Sequence, residues 1–156
     1  MGRGRRAGLV MALALGLAGC VAAPAMAPVT RDMSSADLVA TAKAEFRAGH
    51  YAKAQSLAAR AATDPAVTTQ ALLIEAAALD RLKSFDRADA VYRRLFPAIG
   101  STAAFNNNYG YSMMLRGNLT MARKYLLLAQ QANSGSPTVT NNMDMLRNAG
   151  SYQRSR

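Results

Sequence analysis

The sequence predicts an all-α protein in which helical hairpins of equal length stack along one continuous core. Apolar residues recur with helical spacing from Ser34 onward, and no alternating run is long enough to require a strand. A turn followed by a helix returns three times, as GHYAKAQSL from Gly49, KSFDRADAV from Lys83 and GNLTMARKY from Gly117. These three starts are 34 residues apart. A fixed internal period of this length is typical of a solenoid built from helical repeats.

Residues 1–19 predict an export signal rather than part of this fold. A positive segment with three arginines precedes the apolar run LVMALALGL, which is too short to span a membrane as a stable helix. The run ends in Leu17-Ala18-Gly19-Cys20, which resembles the lipobox of bacterial lipoproteins. The resemblance implies cleavage before Cys20, acylation of its thiol and amine, and attachment to a membrane. A plain secretory signal and an uncleaved membrane anchor are the alternatives.

The chain after this signal divides into a short tether, one domain and a tail. Residues 20–33 contain two prolines among small residues and have no helical period, so they predict a flexible tether behind the lipidated Cys20. Cys20 is the only cysteine, and the domain is therefore expected to fold without a disulfide. Residues 34–150 form the predicted repeat domain, and residues 151–156 are expected to be a disordered basic tail.

Seven helices are predicted within the domain. Ser34 is a suitable N-cap for the first helix because Asp37 occupies its third position. Further starts are expected at Asp64-Pro65, at Ser101 and at Ser136-Pro137, where a good N-cap residue precedes the first turn. The predicted helices cover residues 35–48, 51–63, 67–82, 85–96, 102–116, 119–132 and 137–149.

Ten or more positions keep the 34-residue interval without an insertion. Small residues recur on the first helix of each pair at Ala42, Ala76 and Gly110, and on the second helix at Ala54, Ala88 and Ala122. Two antiparallel helices approach closely only where their crossing point is small, so these positions are predicted crossing points. A large apolar residue follows each turn, at Tyr51, Phe85 and Leu119, and is expected to close the open end of its pair.

The period of 34, the turn glycine and the order of small and aromatic residues resemble the tetratricopeptide (TPR) repeat. The resemblance covers residues 35–150 and implies a TPR superhelix of about three repeats plus a C-terminal capping helix. Two departures stand out. The bulky residue near the start of the first helix is Leu38 and Leu72 but becomes Asn106 in the third repeat. The closing proline of each repeat is displaced, which shifts the expected helix ends.

The charge of the mature chain is strongly positive. Three of the nineteen basic residues lie in the export signal, which leaves sixteen against nine acidic residues and a net charge of +7. Residues 100–156 carry six basic side chains against Asp144 alone. Such an excess suits an acidic protein or anionic lipid headgroups, or simply a solvated surface. Export argues against nucleic acid as a partner.

The TPR resemblance implies a groove lined mainly by the first helix of each pair. Cationic, amide and aromatic side chains along one trough suit an extended peptide, whose backbone bonds to amides and whose carboxylates meet Lys or Arg. A groove that binds nothing, lined by packing and solvated residues, is the alternative. The positions that the repeat places in the groove are Lys43, Phe46, Arg47, Leu73, Ala77, Asp80, Arg81, Asn107, Tyr111, Met114, Asn141 and Met145.

No arrangement typical of catalysis, cofactor binding or metal binding stands out in the sequence. His50 is the only histidine, and it lies next to Gly49 with no cysteine or paired carboxylate at ligand spacing, so it is expected to be a solvated turn residue. We therefore expect no metal, no cofactor and no enzymatic activity. The methionine-rich set at positions 113, 114, 121, 143 and 145 has helical spacing and is expected to be core rather than an adaptable contact surface.

The third repeat and the last helix carry a closer likeness. They read NNNYGYSMMLRGNLTMARKYLLLAQQA, then a short loop with Pro137, then TNNMDMLRNAG. Together with the lipobox, this pattern resembles the TadD-like TPR lipoproteins of tight-adherence (Tad/Flp) pilus systems. Membership implies an outer-membrane lipoprotein that faces the periplasm and supports the pilus secretin and pilin secretion. Val21, the second residue of the mature chain, also favours the outer membrane by the sorting rule of enteric bacteria. A general envelope adaptor that recruits peptidoglycan or outer-membrane assembly factors is the alternative.

Overall fold

A computed structural model describes residues 33–154, all of whose regular structure is helical, which confirms the all-α prediction for this part of the chain. The predicted signal, the lipidation site Cys20, the tether up to residue 32 and the last two residues lie outside the described residues. The helices are α1 (Ser35–Arg47), α2 (Tyr51–Ala61), α3 (Thr68–Arg81), α4 (Phe85–Ile99), α5 (Ala103–Leu115), α6 (Leu119–Ala132) and α7 (Pro137–Arg154).

The predicted N-cap of α1 is confirmed, and the cap of α5 lies one residue later than predicted. Ser34 accepts a hydrogen bond from the backbone N–H of Asp37, as expected. Thr102, rather than Ser101, caps α5 by accepting from the N–H of Phe105. Asp64 does not begin α3, because its carboxylate accepts from the N–H of Ala66 and forms a separate turn before the helix.

Two helices end later than the sequence predicts. Helix α4 continues through Pro97 to Ile99, because the missing proline N–H removes one hydrogen bond in the final turn without ending the helix. Helix α7 reaches Arg154 and so extends into the segment predicted to be a basic tail. Positive φ angles occur at Gly49 and Gly117 but not at Gly150, which therefore does not terminate α7.

The three turns predicted to be equivalent have the same backbone geometry. Gly49, Lys83 and Gly117 have φ angles of +83°, +59° and +76°. Each of these residues donates its N–H to the carbonyl three residues back, and the following residue donates to the carbonyl five residues back. This pattern is the Schellman motif, which requires one residue in the left-handed region. The repeat found in the sequence is thus also a repeat of hydrogen bonds.

The small residues predicted to lie at helix crossings are buried. The alanines at positions 42, 54, 76, 88 and 122 have no exposed surface. Gly110 is buried as well, and a Cβ added there would lie 2.8 Å from the Cγ atom of Leu126 on the facing helix. Helices α5 and α6 therefore approach one another more closely than an alanine at position 110 would allow.

Each helix packs against its neighbours in the chain, and the first helices of successive pairs also contact one another. The contacts α1 to α3, α3 to α5 and α5 to α7 place these four helices in a row. Short connections make the helices of each pair antiparallel neighbours. The contact between α4 and α5 is much sparser than the contact between α2 and α3, although the two connections occupy equivalent places in the repeat.

Candidate functional site

A cavity of about 400 Å³ lies across the row of first helices, and we call it the groove cavity. Its apolar part consists of Phe46, Leu73, Ile74 and Ala77, from α1 and α3. Its polar part consists of two cations and two amides. These eight lining residues are Lys43, Phe46, Arg47, Gln70, Leu73, Ile74, Ala77 and Asn108. Five of them are among the positions that the repeat placed in the groove.

The two cations of the groove cavity have no acidic partner among the described residues. The nearest carboxylate in the sequence, Glu45, is paired elsewhere: its oxygens lie 2.7 Å from the Nζ atom of Lys53 and 2.7 Å from the Nδ1 atom of His50. The hydrogen bonds from Lys53 and His50 lower the pKa of Glu45. Lys43 and Arg47 are consequently available to a carboxylate brought by a ligand.

Arg81 and Tyr111, two predicted groove residues that do not line the groove cavity, contact each other. An Nη1 atom of Arg81 donates to the Tyr111 hydroxyl at 3.1 Å. The same guanidinium lies 4.7 Å from the centre of the Tyr51 ring, within cation–π distance. The sequence placed Arg81 and Tyr111 in the groove, and the structure brings them together as a bridge between α3 and α5.

Asp80 is a correction to the predicted groove. Its side chain is 2 % exposed and cannot meet a partner there. The Ser112 hydroxyl donates to Oδ1 at 2.6 Å, and the Tyr92 hydroxyl donates to Oδ2 at 2.9 Å. An Nη2 atom of Arg116 also lies 3.3 Å from Oδ1. Asp80 can be buried because Tyr92 of its own hairpin satisfies Oδ2, while Ser112 and Arg116 of the next hairpin satisfy Oδ1.

Arg116 connects this buried carboxylate to a second one. Its Nη1 atom donates to Asp89 at 2.8 Å, and its guanidinium lies 4.8 Å from the centre of the Phe85 ring. Burial raises the pKa of Asp80, while hydrogen bonds from Ser112 and Tyr92 and the charge of Arg116 oppose that rise. Burial also disfavours the charged guanidinium, but the hydrogen bonds and attraction to Asp89 and Asp80 together outweigh it and raise the pKa of Arg116. The cluster is an internal link between the second and third hairpins.

Asn107 is a second correction. It is 8 % exposed, and its Oδ1 atom accepts a hydrogen bond of 2.9 Å from the Nδ2 atom of Asn142, which is also buried. The pair joins α5 to α7. Asn106, in the position that held leucine in the earlier repeats, is buried too and donates to the carbonyls of Gly100 and Thr102. Asn106 and Asn107 are therefore structural, whereas the next residue, Asn108, lines the groove cavity.

The remaining predicted groove residues divide between surface and core. Asn141 is exposed on α7 and lies near Met145, with 3.7 Å between its Nδ2 atom and the methionine sulfur. Met145 is 41 % exposed, so the expectation that it is core is wrong. Met114 is half-buried and packs with the methionines at 113, 121 and 143 around Leu126, as expected for a core set.

Sequence reasoning missed three lining residues, Gln70, Ile74 and Asn108. Ile74 and Asn108 are 34 residues apart, so they share one repeat position, which lies next to the position of Leu73 and Asn107. Choosing the correct one of two adjacent helix positions requires the angle at which each helix faces the next. The 34-residue interval between Ile74 and Asn108 was the signal that the sequence offered. This interval shows that the two positions are equivalent, but it does not show which way they face.

Within residues 33–154, no group of three or more His, Cys, Asp or Glu side chains is placed to hold a metal ion. None of the helices in this part of the chain combines the length and apolar character needed to cross a membrane. His50 is exposed next to Glu45. No protein-family model matches the chain, and no curated protein is significantly similar to it.

Proposed function

We propose that the described helices form a TPR superhelix whose groove cavity binds an extended peptide segment of a partner protein. The observation that carries the proposal is the groove cavity itself, where an apolar floor lies beside two cations without an internal partner. The 34-residue period, the three equivalent Schellman turns and the row of first helices support the TPR arrangement.

The groove cavity suits a segment that combines a carboxylate with an apolar side chain. Lys43 and Arg47 offer charge-assisted hydrogen bonds to the carboxylate, and Phe46 with Leu73 offers apolar surface to the side chain. Gln70 and Asn108 bring amide groups to the same cavity, where they can bond to a peptide backbone. This is a binding chemistry and includes no bond-making step.

We further propose that the chain acts at the outer membrane, on the periplasmic side, as a lipoprotein scaffold of Tad/Flp pilus assembly. In this role it supports the pilus secretin and the export of pilin. The lipobox that ends at Cys20 and the likeness of the third repeat to TadD-like proteins support this assignment. The alternative assignment, a general envelope adaptor, uses the same groove for a different partner.

The proposal is tested by capturing the pilus secretin from membranes with the acylated protein. Reversing both groove charges, with Lys43→Glu and Arg47→Glu, should reduce capture at least about tenfold, since each lost charge-assisted bond is worth about 1.5–3 kcal/mol. The matched control reverses two exposed arginines outside the groove cavity, Arg60→Glu and Arg87→Glu, and should leave capture nearly unchanged.

Equal capture by both double variants would contradict the groove assignment. Recovery of peptidoglycan-processing proteins in place of the secretin would support the envelope-adaptor alternative. Deleting the gene tests the pilus assignment separately. Normal secretin multimers and normal piliation in the deletion strain would refute that assignment.

A further inference from the structure

A second concave surface lies on other helices and shares no residue with the groove cavity. It is a cleft of about 240 Å³ between α4 and the pair α5 and α6, and we call it the aromatic cleft. Five of its lining residues are aromatic: Tyr92, Phe96, Phe105, Tyr109 and Tyr125. Neighbouring rings meet edge to face, with centroids 4.9 Å apart for Tyr92 and Tyr109 and 4.7 Å apart for Tyr109 and Tyr125.

The cleft exists because aromatic residues replace alanines at equivalent repeat positions. Tyr92, Phe96 and Phe105 lie 34 residues after Ala58, Ala62 and Ala71. The alanines allow α2 and α3 to pack closely along their length. The larger rings hold α4 away from α5, so the corresponding contact is sparse and the cleft opens between them.

One side chain at the lip of the cleft exposes an unusually large apolar surface. Phe96 is 58 % exposed, the highest value among the large apolar side chains described. Its ring lies 5.7 Å from that of Phe105 at the base of the cleft. Phe96 therefore adds exposed apolar surface to the rim of the aromatic cleft, where an apolar side chain of a partner can pack.

The surroundings of the cleft are cationic. The one acidic lining residue, Asp89, is already paired with Arg116 at 2.8 Å. Arg93 lies in the lining itself and has no acidic partner within residues 33–154. Further exposed cations occur on the same two second helices, whereas only one exposed carboxylate, Asp86, occurs there. These cations are Arg87 and Arg94 on α4 and Lys124 on α6, whose Nζ atom lies 5.8 Å from the centre of the Tyr125 ring.

We propose that the aromatic cleft is a second docking site, which receives an apolar side chain from an acidic protein segment. Charge complementarity selects an acidic partner, because the lining cation Arg93 has no acidic partner within residues 33–154, while the lining carboxylate Asp89 is already paired with Arg116. The concave shape of the aromatic cleft favours a protein side chain over a lipid surface. A protruding side chain can fill a pocket between helices, whereas a flat membrane surface cannot. The site allows the scaffold to hold a second partner while the groove cavity is occupied.

The test uses the full chain and a synthetic peptide of thirteen residues with one central phenylalanine among glutamates and aspartates. The matched probe has alanine in place of the phenylalanine. Fluorescence anisotropy should show that the phenylalanine peptide binds about tenfold more tightly, since burying that ring removes a large apolar area from water. Raising the salt concentration should weaken both peptides.

Two variants with the same charge change distinguish binding in the aromatic cleft from attraction to the positive charge of the whole protein. Arg93→Glu reverses a lining cation, and Arg87→Glu reverses an exposed cation on the same helix outside the cleft. Arg93→Glu should abolish the preference for phenylalanine, whereas Arg87→Glu should weaken both peptides alike and keep the preference. Lys43→Glu, in the groove cavity, should also keep it. Thermal unfolding of each variant establishes that the fold is intact.

Several outcomes would overturn the proposal. Equal affinity for the two peptides, or no binding of either, would show that the aromatic cleft receives no side chain. Identical behaviour of Arg93→Glu and Arg87→Glu would show that charge alone attracts the peptides. Displacement of the phenylalanine peptide by vesicles of anionic phospholipid, lost in Arg93→Glu, would assign the surface to a membrane instead. A loss of secretin capture with unchanged peptide binding would bear on the groove cavity and not on the aromatic cleft.

Discussion

Lys83 is the residue whose replacement tests the repeat most directly. It has a φ of +59° in a turn where the two equivalent turns have glycine. A residue with a Cβ in the left-handed region destabilises the folded state by about 1–2 kcal/mol. Glycine avoids this strain, but it makes the unfolded chain more flexible, which lowers the free energy of unfolding by about 0.4–1 kcal/mol. Lys83→Gly should therefore raise the free energy of unfolding by about 0.5–1 kcal/mol. For a chain of this size that corresponds to about 1–4 °C in Tm.

Thermal unfolding followed by circular dichroism, together with urea unfolding, measures this gain. Lys83→Ala is the matched control, because it removes the charge but keeps a Cβ at positive φ, and it should give no gain. The reverse change, Gly49→Ala or Gly117→Ala, should lose about 1 kcal/mol. A Cβ at either glycine meets no atom within 4 Å, so that loss reports the backbone alone. The reasoning would be refuted if Lys83→Gly left the free energy of unfolding unchanged, or if Gly49→Ala and Gly117→Ala did not lower it.

Two further predictions concern the buried polar groups. Burial, reinforced by the charge and hydrogen bond of Asp80, raises the pKa of Tyr92 well above its ordinary value. The unfolded chain therefore loses this proton first, and stability should fall as the pH rises above about 10. Absorbance at 295 nm should show at least one of the six tyrosines ionising only on unfolding. Burial also raises the pKa of Tyr109, so Tyr92→Phe should remove the part of the delayed signal that belongs to Tyr92. Complete titration of the folded wild-type protein would contradict this. Asn107→Ala should lower stability by about 1–3 kcal/mol in urea, because it leaves the buried amide of Asn142 unpaired; an unchanged midpoint would show that the pair is not structural.

The local features of the fold could be predicted because each depends on a few neighbouring residues. The turn at Gly49 and the crossing at Ala42 follow from backbone freedom and small size, and the 34-residue interval shows where they return. The end of α4 could not be predicted in this way. Pro97 lies where one lost hydrogen bond is tolerated, and its position in the last turn depends on where the helix finally ends.

The candidate site was predictable only in part, for a different reason. Lys43 and Phe46 line the groove cavity because they lie on the helix face that the repeat assigns to the groove. Asp80 lies on the same kind of position, yet its burial depends on Ser112 and Arg116, which are more than thirty residues away in the sequence. A single sequence gives no sign of which distant residue will satisfy a polar group.

The link around Asp80 has a consequence for how this array can change its length. One hairpin earlier, the positions of Asp80 and Arg116 are occupied by Phe46 and Leu82. If a unit were copied or moved, the carboxylate of Asp80 would face an apolar neighbour. It would then be buried without hydrogen-bond donors, which is unfavourable. Arrays of near-identical units grow by duplication. Here the second unit must be followed by the third, because Asp80 needs the hydrogen bonds of Ser112 and Arg116. Exchange of units is therefore restricted at this junction, and the buried Asn107–Asn142 pair restricts it again between α5 and α7.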